Sequence, residues 1–264
     1  MRVERVEIVA KPTVSESYLE RLVAALKNEG VEIDQVSEPN EDHTVDIAPD
    51  MVFVLGGDGT MLQACRMYPG RVLLGVDLGE VGFMAGMQTE ELEYGVEKAL
   101  AGELYVQEYR LLGVRVQGEE ETRLAANEAT LIKQHPHRTF SITVCVEDEE
   151  LFSFPCDGYI AATPLGSTAY ALAAGGPIIS GGANCYQLVP IAPHSLASRP
   201  LVIAEDQAAE LSVTQGDALL ALDGREPQEI STGEGIRVEL SGESVKIARM
   251  DKHSWWRAVR NTFL

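Results

Sequence analysis

Residues 51–60 read MVFVL followed by GGDGT. Five apolar residues in a row, with no polar alternation, suit a strand buried on both faces of a parallel sheet. The run passes straight into two glycines, an aspartate, a third glycine and a threonine, and then into a short helical pattern from Met61 to Tyr68. A strand, a glycine loop and a helix start in that order bring the backbone close to a phosphate and aim N–H groups at it. Upstream, residues 3–10 alternate and predict a strand. Ser15 or Ser17 caps a helix running to about residue 29, with Leu19, Leu22, Val23 and Leu26 at helical spacing and Gly30 as the stop. Residues 31–36 predict a second strand, and the acidic stretch 37–50, with Pro39 and Pro49, a loop. Downstream, 71–76 (RVLLGV) predicts another buried strand and 89–101 a helix. This alternation predicts a Rossmann-like α/β domain over residues 1–102.

Beyond residue 102 the pattern changes to short strand-like runs at 109–117, 123–132, 139–147, 151–162, 186–192, 209–214, 218–222, 235–240 and 244–249. They predict an all-β domain of the β-sandwich type over 103–250. One interruption, Thr163 to Gly176, reads as a loop and a short helix. The tail 251–264 carries both tryptophans and is expected to dock back on the body.

Composition excludes several classes of function. The chain has 264 residues, 45% hydrophobic, and a formal charge of −20. So acidic a chain is a poor non-specific binder of nucleic acid and is repelled by anionic membranes. Neither partner is expected. A solubility requirement and a salty host account equally for such a surface. No apolar run reaches membrane-spanning length, and Met1 to Ala10 lacks the layout of a secretion signal. Cys65, Cys145, Cys156 and Cys185 form no C-x-x-C pair and read as free thiols of a cytoplasmic protein. His135 and His137 share an H-x-H spacing, but Pro136 between them predicts a turn rather than a metal site.

Three constellations carry chemistry. In Gly56-Gly57-Asp58-Gly59-Thr60 a carboxylate stands among glycines that admit phosphate. A carboxylate repels phosphate, so its presence there calls for a chemical role, either accepting a hydroxyl proton or holding Mg²⁺. Asn127 and Glu128 lie inside an apolar strand-like run, where burial is costly unless both are satisfied. Such a pair suits ribose hydroxyls or a hydrated cation. Asp157 ends an apolar run, and Ser167, Thr168 and Tyr170 bring hydroxyls to a turn followed by small residues that leave room for a flat ring.

Together and in this order, GGDGT at 56–60, Asn127-Glu128, and CDG…TPLGSTAYALAAGGP at 156–177 resemble the NAD kinase family. GGDGT alone is shared with diacylglycerol kinases, sphingosine kinases and phosphofructokinases. The Asn-Glu pair with G-S-T-A-Y narrows the resemblance. It implies NAD bound between two domains and transfer of a phosphoryl group from ATP, or from inorganic polyphosphate, to the adenosine 2′-hydroxyl, with Mg²⁺ or another divalent cation. By the resemblance, Asp58 is the general base, and Gly56, Gly57, Gly59 and Thr60 form the phosphate-donor loop. Phe83, Asn127, Glu128 and Arg138 bind NAD, and Asp157 lies toward the nicotinamide. Thr168, Ala169, Tyr170, Ala171, Leu172 and Ala173 form the adenine and ribose wall. Ala192 falls where family members meet nicotinamide from a neighbouring subunit, which implies a homodimer or homotetramer. No metal ligand is assigned.

The chain departs from the family's pattern at Asp77, where Asn is usual, although Gly79, Gly82 and Phe83 still match. Pro155 stands near a position often basic, and Arg225 stands where Gln is common. Arg225 is expected to compensate for the lost positive charge. The competing readings are a diacylglycerol-type lipid kinase and a catalytically silent dinucleotide-binding regulator on the same fold.

Overall fold

The computed structural model describes residues 3–39, 48–78 and 82–263. Gly79, the acidic stretch 40–47 and Leu264 lie outside the described residues. The chain forms two compact units, Met1–Glu108 with Val245–Leu264, and Tyr109–Ser244.

The first unit holds strands β1 (Arg5–Ala10), β2 (Glu32–Ser37), β3 (Met51–Leu55), β4 (Val72–Asp77) and β5 (Ala85–Gln88), with helices α1 (Glu16–Asn28), α2 (Asp58–Met67) and α3 (Leu92–Ala101). The strands pair in parallel in the order β2-β1-β3-β4, with β5 beside β4. On β3, Met51, Phe53 and Leu55 join one apolar cluster with Leu22 and Leu26 of α1 and Leu92 and Val96 of α3. Val52 and Val54 are buried on the opposite face, toward α2. Burial on both faces is why this strand carries no polar alternation. Chain order reverses between β2-β1 and β3-β4, and in open α/β sheets ligands bind at the carboxyl ends of strands near such a reversal. The glycine loop leaves β3 at that end.

The second unit is a sandwich. One sheet runs β13-β12-β11-β8-β15-β16, all pairs antiparallel. The ranges are β8 (Glu128–Lys133), β11 (Gly158–Ala162), β12 (Cys185–Ile191), β13 (Leu201–Ala204), β15 (Ala218–Leu222) and β16 (Gln228–Ile230). Facing it are β6 (Tyr105–Val116), β7 (Arg123–Ala125), β9 (Ser141–Val146), β10 (Glu149–Pro155), β14 (Ala209–Gln215) and β17 (Gly235–Arg249). Leu131, Tyr159, Leu188 and Leu220 of the first sheet share a core with Val114, Ile142, Leu211 and Val238 of the second. The short helix α4 (Tyr170–Ala173) packs beside β11.

The divisions at 108/109 and 244/245 fall inside the long strands β6 and β17, not in the turns near 102 and 250. The runs expected at 235–240 and 244–249 are one strand, and its end pairs with β4 through Lys246↔Val72 and Ile247↔Leu73. Helix α5 (Ser254–Phe263) therefore belongs to the first unit, with Trp255 and Val259 buried. The runs expected at 123–132 and 151–162 are each broken, at Ala126-Asn127 and Cys156-Asp157. β5, β13 and β16 are too short for periodicity to show. No helix among the described residues is long and apolar enough to cross a membrane.

Candidate active site

Gly57 caps α2 in an extended conformation, so Asp58 opens the helix. The glycines of the loop have different duties. A Cβ on Gly56 would press into the buried Thr60 side chain, 2.6 Å from its Cβ. A Cβ on Gly57 or Gly59 would meet nothing within 4 Å. Packing inside the protein therefore demands glycine at 56 but not at 57 or 59.

The Asp58 carboxylate is seated by its own unit. Oδ2 accepts the Phe83 N–H at 3.0 Å and Oδ1 accepts the Met84 N–H at 3.1 Å. A Cβ on Gly82 would collide with Oδ1, so glycine is required there to leave room for the carboxylate. Phe83 stacks on Phe263, with ring centroids 5.2 Å apart and planes 5° from parallel. The departure at Asp77 is buried, and its Oδ2 accepts from Gln88 Nε2 at 3.2 Å.

In the second unit, Asn127 and Glu128 sit where β8 begins. Asp223 fixes their backbone: its carboxylate accepts the N–H groups of Ala126 and Asn127 at 2.8 Å and of Glu128 at 3.1 Å. Asp223 and Gly224 both have left-handed φ, +49° and +69°, in the turn between β15 and β16. Asn127 Oδ1 and Glu128 Oε2 are buried without a hydrogen-bond partner. Burial, and then the neighbouring Asp223 carboxylate, push the Glu128 carboxyl up to about 7.

The turn at 163–169 is pressed onto this pair. Thr163 N–H donates to the Asn127 carbonyl at 2.9 Å, and Thr163 Oγ1 donates to the Ala126 carbonyl at 2.5 Å. A Cβ on Gly166 would lie 2.6 Å from the Asn127 carbonyl carbon, so only glycine permits the contact. The Ser167 hydroxyl is buried and tied to Pro164 and Ile179, which makes it an internal staple. Thr168 and Ala169 are half-buried, Ala171 is buried, Leu172 is half-buried, and Tyr170 and Ala173 are exposed.

At the far end of β11, Asp157 Oδ1 is 2.6 Å from Lys133 Nζ. Asp157 N–H donates to the Ile191 carbonyl at 2.9 Å, which sets Ala192 (φ +44°) at the same end of the sheet. Arg138 is exposed in a turn closed by its N–H donating to the His135 carbonyl, and His137 shares that turn. The turn follows the far end of β8, five residues beyond Lys133, whereas Asn127 and Glu128 stand at the start of that strand.

Two family descriptions match the chain: the ATP-NAD kinase N-terminal domain over residues 5–104 and the ATP-NAD kinase C-terminal domain over residues 126–250. The NAD kinase of Heliobacterium modesticaldum is 34% identical over 218 residues, covering 80% of this chain and 77% of that protein. That of Methanothermobacter thermautotrophicus is 31% identical and covers 98% of this chain and 96% of its own. The chain belongs to the NAD kinase family. Among solved structures, an Archaeoglobus fulgidus NAD kinase in complex with ATP superposes with a TM-score of 0.79 at 26% identity, covering 98% of this chain and 97% of that one. Yeast NADH kinase complexed with NADH shares the fold, with a TM-score of 0.86 at 21% identity, 99% of this chain and 88% of that one.

Within an NAD kinase framework the structure adds residues that the sequence did not single out. Asp223 organises Asn127 and Glu128. An Asp-Gly pair between two apolar runs is a turn signal, but nothing in it tells which N–H groups the carboxylate caps. Lys133 neutralises Asp157, and a lysine closing a buried strand was its only sign. Arg225, expected to compensate for lost positive charge, donates to the backbone carbonyls of Leu222 at 3.0 Å and Leu124 at 2.9 Å.

Proposed function

We propose that this chain is an NAD kinase, transferring the terminal phosphoryl group of ATP to the adenosine 2′-hydroxyl of NAD to give NADP. The observation that carries the site assignment is the pair of buried, unpartnered oxygens, Asn127 Oδ1 and Glu128 Oε2. Buried acceptors are almost always satisfied, so these two call for donors from a ligand. Ribose hydroxyls are such donors. The span from Asp157, just before β11, to Ala162 at its end is roughly 17 Å at the rise of a strand, a length that suits an extended dinucleotide better than a mononucleotide. Asn127 and Glu128 hold the adenosine ribose, the 168–173 segment offers the adenine its small side chains, and Asp157 with Ala192 serves the nicotinamide end. Phe83 and Arg138 complete the NAD contacts.

Asp58 acts as general base on the 2′-hydroxyl. Each of its oxygens accepts one N–H, so each keeps a lone pair for the substrate proton. Gly57 and Gly59 admit the donor phosphates, whose charge the start of α2 stabilises. Among the described residues no three metal-ligating side chains cluster. A divalent cation such as Mg²⁺ enters this reading as the counter-ion of the donor phosphates, supplying charge neutralisation. Inorganic polyphosphate presents the same terminal phosphoryl chemistry as ATP. The four free cysteines fit a reducing cytoplasm. The exposed 192–196 loop, with Leu196 at 98% exposure, fits a contact surface of a homodimer or homotetramer.

The test is NADP formation from NAD, ATP and Mg²⁺, wild type beside Asp58→Asn. Turnover by the wild type and a loss of about a hundredfold or more in the variant are expected. A folded wild type that turns over with neither ATP nor polyphosphate would instead favour a lipid kinase or a silent dinucleotide sensor.

A further inference from the structure

Arg249, the last residue of β17, carries a buried charge in the first unit and is 2% exposed. A buried guanidinium is expensive, and a site that only needed filling would be better served by an apolar side chain. Among its partners is the Phe83 carbonyl, which accepts from Nη2 at 3.1 Å. That carbonyl and the Met84 N–H belong to one peptide group. The Met84 N–H is the donor to Asp58 Oδ1. The cation, the peptide and the carboxylate thus stand in line: guanidinium to C=O, then N–H to carboxylate. A cation on the oxygen of an amide draws density from its nitrogen, and successive hydrogen bonds strengthen one another in a low-dielectric interior.

We propose that Arg249 is a positioning residue for the phosphoryl transfer, holding the 83–84 peptide and through it the Asp58 carboxylate in the orientation that meets the acceptor hydroxyl. The inference rests on the reading of Asp58 as the base. Without the guanidinium, the Phe83 carbonyl loses a charged donor that fixes the plane of this peptide, and the direction of the carboxylate's lone pairs is held less tightly. Misplacement of a reacting group by a fraction of an ångström lowers turnover without needing to lower substrate affinity. The pocket beside it, lined by Phe83, Gln88, Arg249, Asp251 and Arg257, is built within the same unit. Gly86 keeps the two segments close, because a Cβ there would run into the Ala248 carbonyl. The charged end of β17 is therefore held against the segment that seats the base.

The test compares Arg249→Lys, Arg249→Gln and Arg249→Met in the full chain, by kcat, KM for NAD and for ATP, and thermal midpoint. For Met a fall in kcat of about tenfold or more is expected, with both KM values within about twofold. Lys should recover most of the lost kcat although its thermal midpoint is no higher than that of Met. Gln, a neutral donor, should lie between. Any two variants that fold suffice for the comparison. Loss of kcat that simply follows thermal midpoint, or loss appearing in KM, would overturn the inference, as would failure of all three to fold, which would make Arg249 structural. Asp58→Asn run alongside keeps the two ideas apart. If it retains turnover, the base assignment fails. If it abolishes turnover while every Arg249 variant keeps full kcat, only the role of Arg249 fails.

Discussion

Glu128 shows how much one buried carboxyl can govern. Its Oε2 has no partner in the protein, and Asp223 sits beside it as a second negative group. Both effects favour the neutral form, raising the group from 4.5 to about 7. The folded chain therefore binds a proton between those values that the unfolded chain has released. Stability falls as pH rises through this window and stays at its lower level above it. The stability at stake is on the order of a few kcal/mol. Glu128→Gln should flatten the dependence of thermal midpoint on pH between about 4.5 and 7 and should stabilise the protein at pH 8 by about 1–3 kcal/mol. A midpoint that falls across the window as steeply in the variant as in the wild type would show that another group titrates there. A carboxyl retained at such a cost points to a ligand rather than to packing.

At the scale of elements, the start of α2 separates a glycine required by packing from one proposed to admit phosphate. Gly59 lies in the first turn of the helix with open space where its Cβ would be. Alanine there improves helix propensity by about 0.5–1 kcal/mol, so Gly59→Ala should leave the thermal midpoint level or slightly raised. It should also raise KM for ATP by about tenfold, because a methyl group would stand where the donor phosphates are proposed to approach. A destabilised variant with unchanged KM for ATP would mean that Gly59 serves the fold alone. The elements also explain two misread strands. The runs at 123–132 and 151–162 look continuous because apolar residues dominate them. The first is interrupted at Ala126-Asn127 because Asp223 takes the N–H groups of 126–128 out of the ladder. The second is interrupted at Cys156-Asp157, whose N–H groups donate to Phe140 and Ile191 at 3.0 and 2.9 Å. Both interruptions fall on proposed NAD-binding residues. A break in pairing is what frees a strand end to face a ligand.

At the scale of the whole molecule, a charge of −20 is an obstacle to anionic substrates as well as to compactness. Like charges on one small body repel, and salt screens them over about 8–10 Å. Raising KCl should therefore raise the thermal midpoint, and NADP formation should rise with it before any decline. Activity and midpoint that only fall from the lowest KCl concentration onward would show that the acidic surface is a matter of solubility alone. The protein meets the repulsion locally rather than globally. Lys133 neutralises Asp157, and glycines, not lysines, fill the 56–59 loop proposed to take phosphate.

The division between what sequence determined and what it left open follows the range of the interactions involved. The parallel α/β unit, the β-rich unit and the GGDGT loop were legible because each rests on local periodicity and on the special backbone of glycine. The Asn-Glu pair was legible because two polar residues in an apolar run need a reason. The tertiary structure alone decided what holds those residues in place. Asp223 reaches Asn127 from 96 residues away, and Arg249 reaches Phe83 from 166 residues away. It also showed that the Ser167 hydroxyl and the Arg225 guanidinium donate to backbone carbonyls, since a hydroxyl or a guanidinium in a motif looks the same in sequence whether it faces a ligand or a carbonyl. The strand that carries the chain from one unit into the other at residue 244 was equally hidden, because a long strand shares its local pattern with two short ones. Sequence records the residue types that chemistry requires; only packing among distant segments fixes the directions in which they point.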